Sequence, residues 1–166
     1  FSSTGATPDG TSAYMNTGLI PNTSLTINSS HASIYLNTNN LPNGVDPVDI
    51  GCFQDVLQSL TLVQSSLTLA SRNVGNNITT TQATRQGFGL TSKTSAILTT
   101  LYKNGTNVVG GNSGGTLPSI NIYIGALNLN NTVYGVSYTN NKIAFASIGD
   151  GLTDTEAANF YTAVQR

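Results

Sequence analysis

Lys142-Ile-Ala-Phe145-Ala-Ser-Ile148-Gly149, a short turn, and then Leu152-Thr153-Asp154-Thr155-Glu156 running through Phe160-Tyr161 to Arg166 form the stretch on which the fold turns. The first part is short, apolar-rich and ends at glycine, as a strand does. In the second, Thr153 and Glu156 have the spacing of a capping box, and Asp154 adds negative charge at a helix N-terminus. Ala157, Phe160, Tyr161 and Val164 then fall at i, i+3, i+4 and i+7, which predicts one apolar stripe on a helix over Thr153–Arg166. A helix of about 12 residues is not stable alone in water. It must dock. Upstream, Ile120-Asn-Ile122-Tyr-Ile124-Gly125 alternates as a second strand. Strand, loop, strand and closing helix read as the tail of a β-sandwich.

Working outward, Leu101-Tyr102-Lys103-Asn104-Gly105-Thr106 is the clearest hairpin. Asn-Gly accepts positive φ at both central positions of a type I′ turn. That pairs Ile97–Lys103 with Thr106–Val109. Further strands are expected at Ser12–Asn16, Leu25–Ile27, His31–Asn37, Val48–Phe53, Ser59–Val63, Leu67–Ala70 and Gln86–Leu90, the last ending at a Thr91–Thr94 turn. In His31–Asn37 the residues Ala32, Ile34 and Leu36 share one face. Asn37–Asp46, Asn73–Gln82 and Gly110–Pro118 read as loops. Strands separated by turns, with no interleaved helices, give an all-β sandwich or barrel with one helix at the end.

The 166 residues suit one domain, excised or processed from a longer chain that supplied a start other than Phe1. Only 8% of residues are charged and the net charge is −1, which excludes a basic surface for nucleic acid. Asn, Thr, Ser and Gly supply the polarity instead, and they favour pleated strands and tight turns. No apolar run reaches the roughly 20 residues that membrane insertion needs. Cys52 has no partner for an internal disulfide and no zinc spacing. The acceptor patterns at Asn22, Asn28, Asn77 and Asn104 are as frequent as this composition produces by accident, so they carry no inference.

Taken in order, Tyr123-Ile124-Gly125, Lys142-Ile143-Ala144-Phe145-Ala146 and Leu152-Thr153-Asp154-Thr155-Glu156 resemble the laminin-G-like, concanavalin A-like jelly roll. Asp9-Gly10 to Gly18 resembles that family's first strand, and Leu101–Gly105 resembles its hairpin. The resemblance implies two antiparallel sheets in a jelly-roll sandwich with one short C-terminal α-helix. It is nearest to modules of tailed-bacteriophage structural and fibre proteins, on the segment Ser147–Tyr161. That implies a virion-surface, fibre or capsid-decoration module adhering to host-surface or mucus glycans, with other virion or filament subunits and further copies of itself as partners. A secreted cellular carbohydrate-binding or filament-building module is the alternative.

Catalytic readings have specific requirements. Gly111-Asn112-Ser113-Gly114-Gly115 resembles the nucleophile loop of trypsin-like serine proteases, with His31 and Asp46, Asp49 or Asp55 upstream. It lacks the strand-to-helix elbow of a hydrolase and the sequence context such a histidine normally has. Glycoside hydrolysis needs two carboxylates, and the one glutamate, Glu156, is committed to a cap. Lyase chemistry has only His31 and Tyr35 as a seed. The expectation is therefore a non-enzyme without a required cofactor. Calcium, common in the resembled family, would be seeded by Asp46 and Asp49 at one loop-to-strand junction. For a glycan, an aromatic platform with nearby amides is needed. Asn130, Asn131, Tyr134, Tyr138 and Asn140 offer this in one loop, with Asp150 joining from the next turn.

Overall fold

The computed structural model describes residues 4–40, 47–56, 58–64, 68–112 and 114–165. In chain order the strands are β1 (Met15–Asn16), β2 (Ser30–Leu36), β3 (Ile50–Asp55), β4 (Gln58–Gln64), β5 (Thr68–Asn73), β6 (Asn77–Thr81) and β7 (Gly87–Lys93). They continue with β8 (Leu98–Lys103), β9 (Thr106–Asn112), β10 (Tyr123–Ile124), β11 (Asn128–Leu129), β12 (Thr132–Val133) and β13 (Ile143–Gly149). Helices are α1 (Pro21–Ser24) and α2 (Asp154–Val164).

Two sheets face each other. The larger runs β1-β10-β3-β4-β5-β6, with β11 laid parallel to β3 and paired to β12. The smaller runs β13-β2-β7-β8-β9, all antiparallel. This is the expected all-β, jelly-roll-like sandwich with a short C-terminal helix. Ala32, Ile34 and Leu36 of β2 meet Ile50, Cys52, Leu60, Leu62 and Leu69 of the facing sheet in the core. Burying such side chains is worth roughly 1.5–3 kcal/mol each.

The opposite face of the smaller sheet is covered by α2. Thr153 accepts from the Glu156 amide while the Glu156 carboxylate takes the Thr153 amide at 2.9 Å, so the capping box forms. The stripe lands as read: Ala157, Phe160, Tyr161 and Val164 pack on Phe88, Leu90 and Tyr102. Tyr102 also donates its hydroxyl to Asp154 at 2.8 Å, pinning the first turn. The Asn104-Gly105 turn forms with φ of 50° and 77°, and Tyr161 closes over Gly105.

Several boundaries differ from expectation, each for a local reason. The 73–82 segment holds β6, because its run of β-branched Thr completes the ladder on β5. The 91–94 turn is instead the end of β7, paired to β2 and β8. β9 runs to Asn112, into the presumed glycine loop. Pro21 starts a four-residue helix, adding a second helix to the one anticipated, and Leu25 is its C-cap and not a strand residue. Of Ile120–Gly125 only Tyr123–Ile124 is strand; Ile120 and Ile122 are core side chains, Ile122 being held by Thr17 and Leu19.

Candidate functional site

Two groups of polar side chains bear on function, one sealed inside the sandwich and one on the outer face of the larger sheet. The sealed group lies inside the sandwich. Arg85, just before β7, is fully buried and pairs with the equally buried Asp49 at 3.5 Å. Its Nη1 donates to the Asn40 carbonyl at 2.9 Å, and its Nε donates to the Gln64 carbonyl. Asp49 also accepts the Gln64 amide at 2.6 Å. Burial pushes the Asp49 carboxyl above its ordinary range, against the pull of Arg85. One arginine thus ties together the 37–40 loop, the entry to β3 and the end of β4. This corrects the reading of Asp49 as a calcium ligand: its oxygens serve an internal ion pair. Asp46, the other proposed ligand, lies outside the described residues. Sequence inspection missed Arg85, because a lone arginine in a polar stretch looks solvated.

His31 is also structural. Nδ1 donates to the Asp150 carbonyl at 2.6 Å, which leaves Nε2 to accept from the Ser147 hydroxyl at 2.9 Å. Its ring meets Phe160 edge-on, and burial lowers its pKa, keeping it neutral at pH 7. Asp55 accepts the Gln58 amide in the β3–β4 turn. No aspartate carboxylate orients the imidazole in these contacts. Ser113 lies outside the described residues.

The second group lies on the outer face of the larger sheet, where Asn16, Arg72 and Asn77 are accessible while Tyr123 and Thr61 are covered, at 8% and 7% exposure. Strand registry aligns Asn16, Tyr123, Gly51, Thr61, Arg72 and Asn77 in one row across β1, β10, β3, β4, β5 and β6. Neighbouring strands lie about 4.8 Å apart, so the row is roughly 24 Å long. Alternation sends these side chains outward, since their neighbours Ile50, Cys52, Leu62 and Ile122 fill the core. Gly51 leaves a bare step between ring and hydroxyl; a Cβ there would come within 2.7 Å of the Leu60 carbonyl oxygen.

At one end of the row Tyr14 lies on Tyr123, with ring centroids 4.7 Å apart, and Tyr138 closes on Tyr14 at 6.4 Å. Tyr14 keeps 43% of its surface exposed. At the other end the Arg72 guanidinium sits 5.6 Å from the Phe53 ring centroid. Cation–π contact of this kind holds a long side chain in place while leaving its donors usable.

The residues singled out from the sequence divide accordingly. Tyr138 joins the aromatic end through Tyr14. Asn130 and Asn131, with φ of 51° and 66°, are the exposed central residues of the β11–β12 turn, and the Asn130 amide is held by the Phe53 carbonyl at 3.1 Å. They rim the same sheet. Tyr134 is exposed, just after β12. Asn140 sits beside Asn40, near the Leu36 end of β2. Asp150 lies past the far end of β13, some 20 Å from Asn140 at the rise of an extended strand. Asp150 therefore does not join the set. Tyr14, Thr61, Tyr123 and Arg72 were missed, although the alternation at Ile122-Tyr123-Ile124 marks one tyrosine as turned away from the core.

A cleft of about 540 Å³ also opens between β1 and β13, lined by Pro8, Met15, Ile124, Ile143 and Phe145. Its walls are mainly apolar and offer few of the amides and hydroxyls that sugar recognition needs.

No protein-family model and no curated protein matches the chain. Solved structures do. The chain is similar to the NanB sialidase of Streptococcus pneumoniae, with a TM-score of 0.67 at 12% identity over 93% of this chain and 27% of the sialidase chain. It is similar to the binding domain of botulinum neurotoxin DC, solved with rat synaptotagmin II, at 0.56 and 14%, over 84% of this chain and 37% of that one. A SAP-like pentraxin from Limulus polyphemus gives 0.55 and 13%, over 81% and 70%. At these identities the likeness carries the fold alone.

Proposed function

We propose that this protein is a non-catalytic module that binds host-surface or mucus glycans on the solvent face of its larger sheet. It acts as part of a virion fibre, a capsid decoration or another extracellular assembly. The observation that carries this reading is the Asn16–Tyr123–Gly51–Thr61–Arg72–Asn77 row with Tyr14 stacked at its end. Sugars present apolar C–H faces and a rim of hydroxyls, and the accessible Tyr14 ring with the Asn16 and Asn77 amides and the Arg72 guanidinium matches both. Arg72 favours sugars bearing a carboxylate or sulfate, since a guanidinium binds such groups through paired hydrogen bonds. Similar folds in a sialidase chain and in a toxin binding domain solved with SialylT are in keeping with this reading.

A glycan array read with and without calcium, followed by titration of the best ligand, tests it. Tyr14→Ala and Arg72→Ala should each weaken binding about tenfold, roughly 1.4 kcal/mol. Equal binding by wild type and both variants would move the site elsewhere. Silence across the array would leave the structural role in a filament or particle.

A further inference from the structure

Inside the sandwich, Lys103 of β8 and Gln64 of β4 reach toward each other from opposite sheets. Lys103 follows the inward-facing Leu101 by two residues, so its side chain turns toward the interior, where it is part-buried. Its Nζ donates to Gln64 Oε1, and to the Arg85 carbonyl at 3.1 Å. Gln64 is fully buried. The amide is packed against bare backbone: a Cβ on Gly89 would stand 2.9 Å from Gln64 Cδ. The hydrogen bond sets the amine beside the carboxamide, whose carbon Cδ lies one bond beyond the accepting oxygen.

We propose that Lys103 and Gln64 condense into an intramolecular isopeptide bond that joins the two sheets. The neutral Nζ attacks Gln64 Cδ, a C–N bond forms, the Cδ–Nε2 bond breaks, and Nε2 departs as ammonia with the proton that Nζ loses. Atoms and electrons balance without oxidant or co-substrate. The departing Nε2 is held by the Gly87 carbonyl at 3.5 Å, and Asp49 holds the main-chain N–H of the same glutamine at 2.6 Å.

Three physical circumstances favour the step. Burial lowers Lys103 to about 8, so a usable fraction of the amine is neutral near physiological pH. Gln64 is fully buried, which limits the access of water to its amide carbon. And two cations, the buried Arg85 and the part-buried Lys103, lie near one carboxylate, Asp49; condensation removes the second positive charge, whose partial burial is costly.

The experiment is intact-mass and peptide-map analysis of the purified full chain, unreduced and after prolonged incubation. The expected result is a loss of the mass of one ammonia. Trypsin does not cut after an acylated lysine, so residues 1–72 and 94–142 should emerge as one branched peptide through Gln64 and Lys103. Lys103→Met should retain the full mass and give separate linear peptides; should that variant fail to fold, the wild-type map decides alone. A wild-type chain at full sequence mass overturns the proposal. So does an ammonia loss found only in linear peptides, as succinimide formation at Asn104-Gly105 would give.

Discussion

The smaller sheet turns Phe88, Leu90 and Tyr102 outward and α2 lies over them, whereas the larger sheet turns Tyr123, Thr61, Arg72 and Asn77 outward and no described helix covers them. Both faces are made by the same period-two alternation. What differs is the residue type at the outward positions. An apolar outer face needs an amphipathic cover, and the chain supplies one in its last turns. A face of hydroxyls, an amide, a guanidinium and stacked tyrosines needs none. It can remain open for a ligand without exposing an apolar patch.

Substitutions on the two faces should therefore have opposite signatures. The largest effect is expected from Phe88→Ala under the helix. Phe88 is fully buried and meets both Phe160 and Tyr161, so chemical denaturation should show a loss of about 3–5 kcal/mol. A loss under about 1 kcal/mol would mean that the helix contributes little to the sandwich. Next, Thr153→Ala removes the cap and should cost about 1 kcal/mol, read as a lower denaturation midpoint. Smallest in stability is Tyr14→Ala on the open face, within about 0.5 kcal/mol of wild type. Its effect should appear in glycan affinity instead. If Tyr14→Ala destabilised the fold as much as Phe88→Ala, the open face would be a second packing surface and not a binding one.

Acid should affect both regions in the same direction. The hydrogen bonds from Thr153 hold the Glu156 carboxyl below its ordinary 4.5, and those from Ser12, Thr11 and Ala13 hold Asp9 below its ordinary 3.8. A depressed folded pKa means stability that is present above the unfolded value and lost as pH falls through the folded one. The denaturation midpoint should decline as the solution is acidified below about pH 4.5, and Glu156→Gln should flatten the upper part of that decline. A midpoint unchanged down to about pH 3 would contradict the cap's contribution.

The interior adds a third environment. Asp49 was attractive as a metal ligand because an aspartate at a loop-to-strand junction looks accessible. Its actual partner, Arg85, lies 36 residues away in sequence and joins it only when the sheets close. The same closure brings Lys103 to Gln64, 39 residues apart. Neither pairing leaves a periodic trace, since each depends on two strands from different sheets being superposed. The β6 strand was missed for a simpler reason: a Thr-rich edge strand has too little apolar alternation to stand out from a loop.

The closing helix and the turn of the Asn104-Gly105 hairpin could be read from the chain, although the hairpin's second strand runs three residues further than expected. A capping box, an i/i+3/i+4/i+7 stripe and a positive-φ turn are local, satisfied by residues within a few positions of one another. The all-β class was equally legible, because turn chemistry and the absence of interleaved helices already limit it. The site was legible only in fragments. Tyr138 and the turn asparagines were visible, but the row from Asn16 to Asn77 was not. Its six members come from six strands, and which residues share a row depends on registry. Registry is decided by long-range pairing, and a shift of one residue would turn every one of them inward. Tertiary structure alone sets what lies beside Tyr123, and what Asp49 and Lys103 can reach.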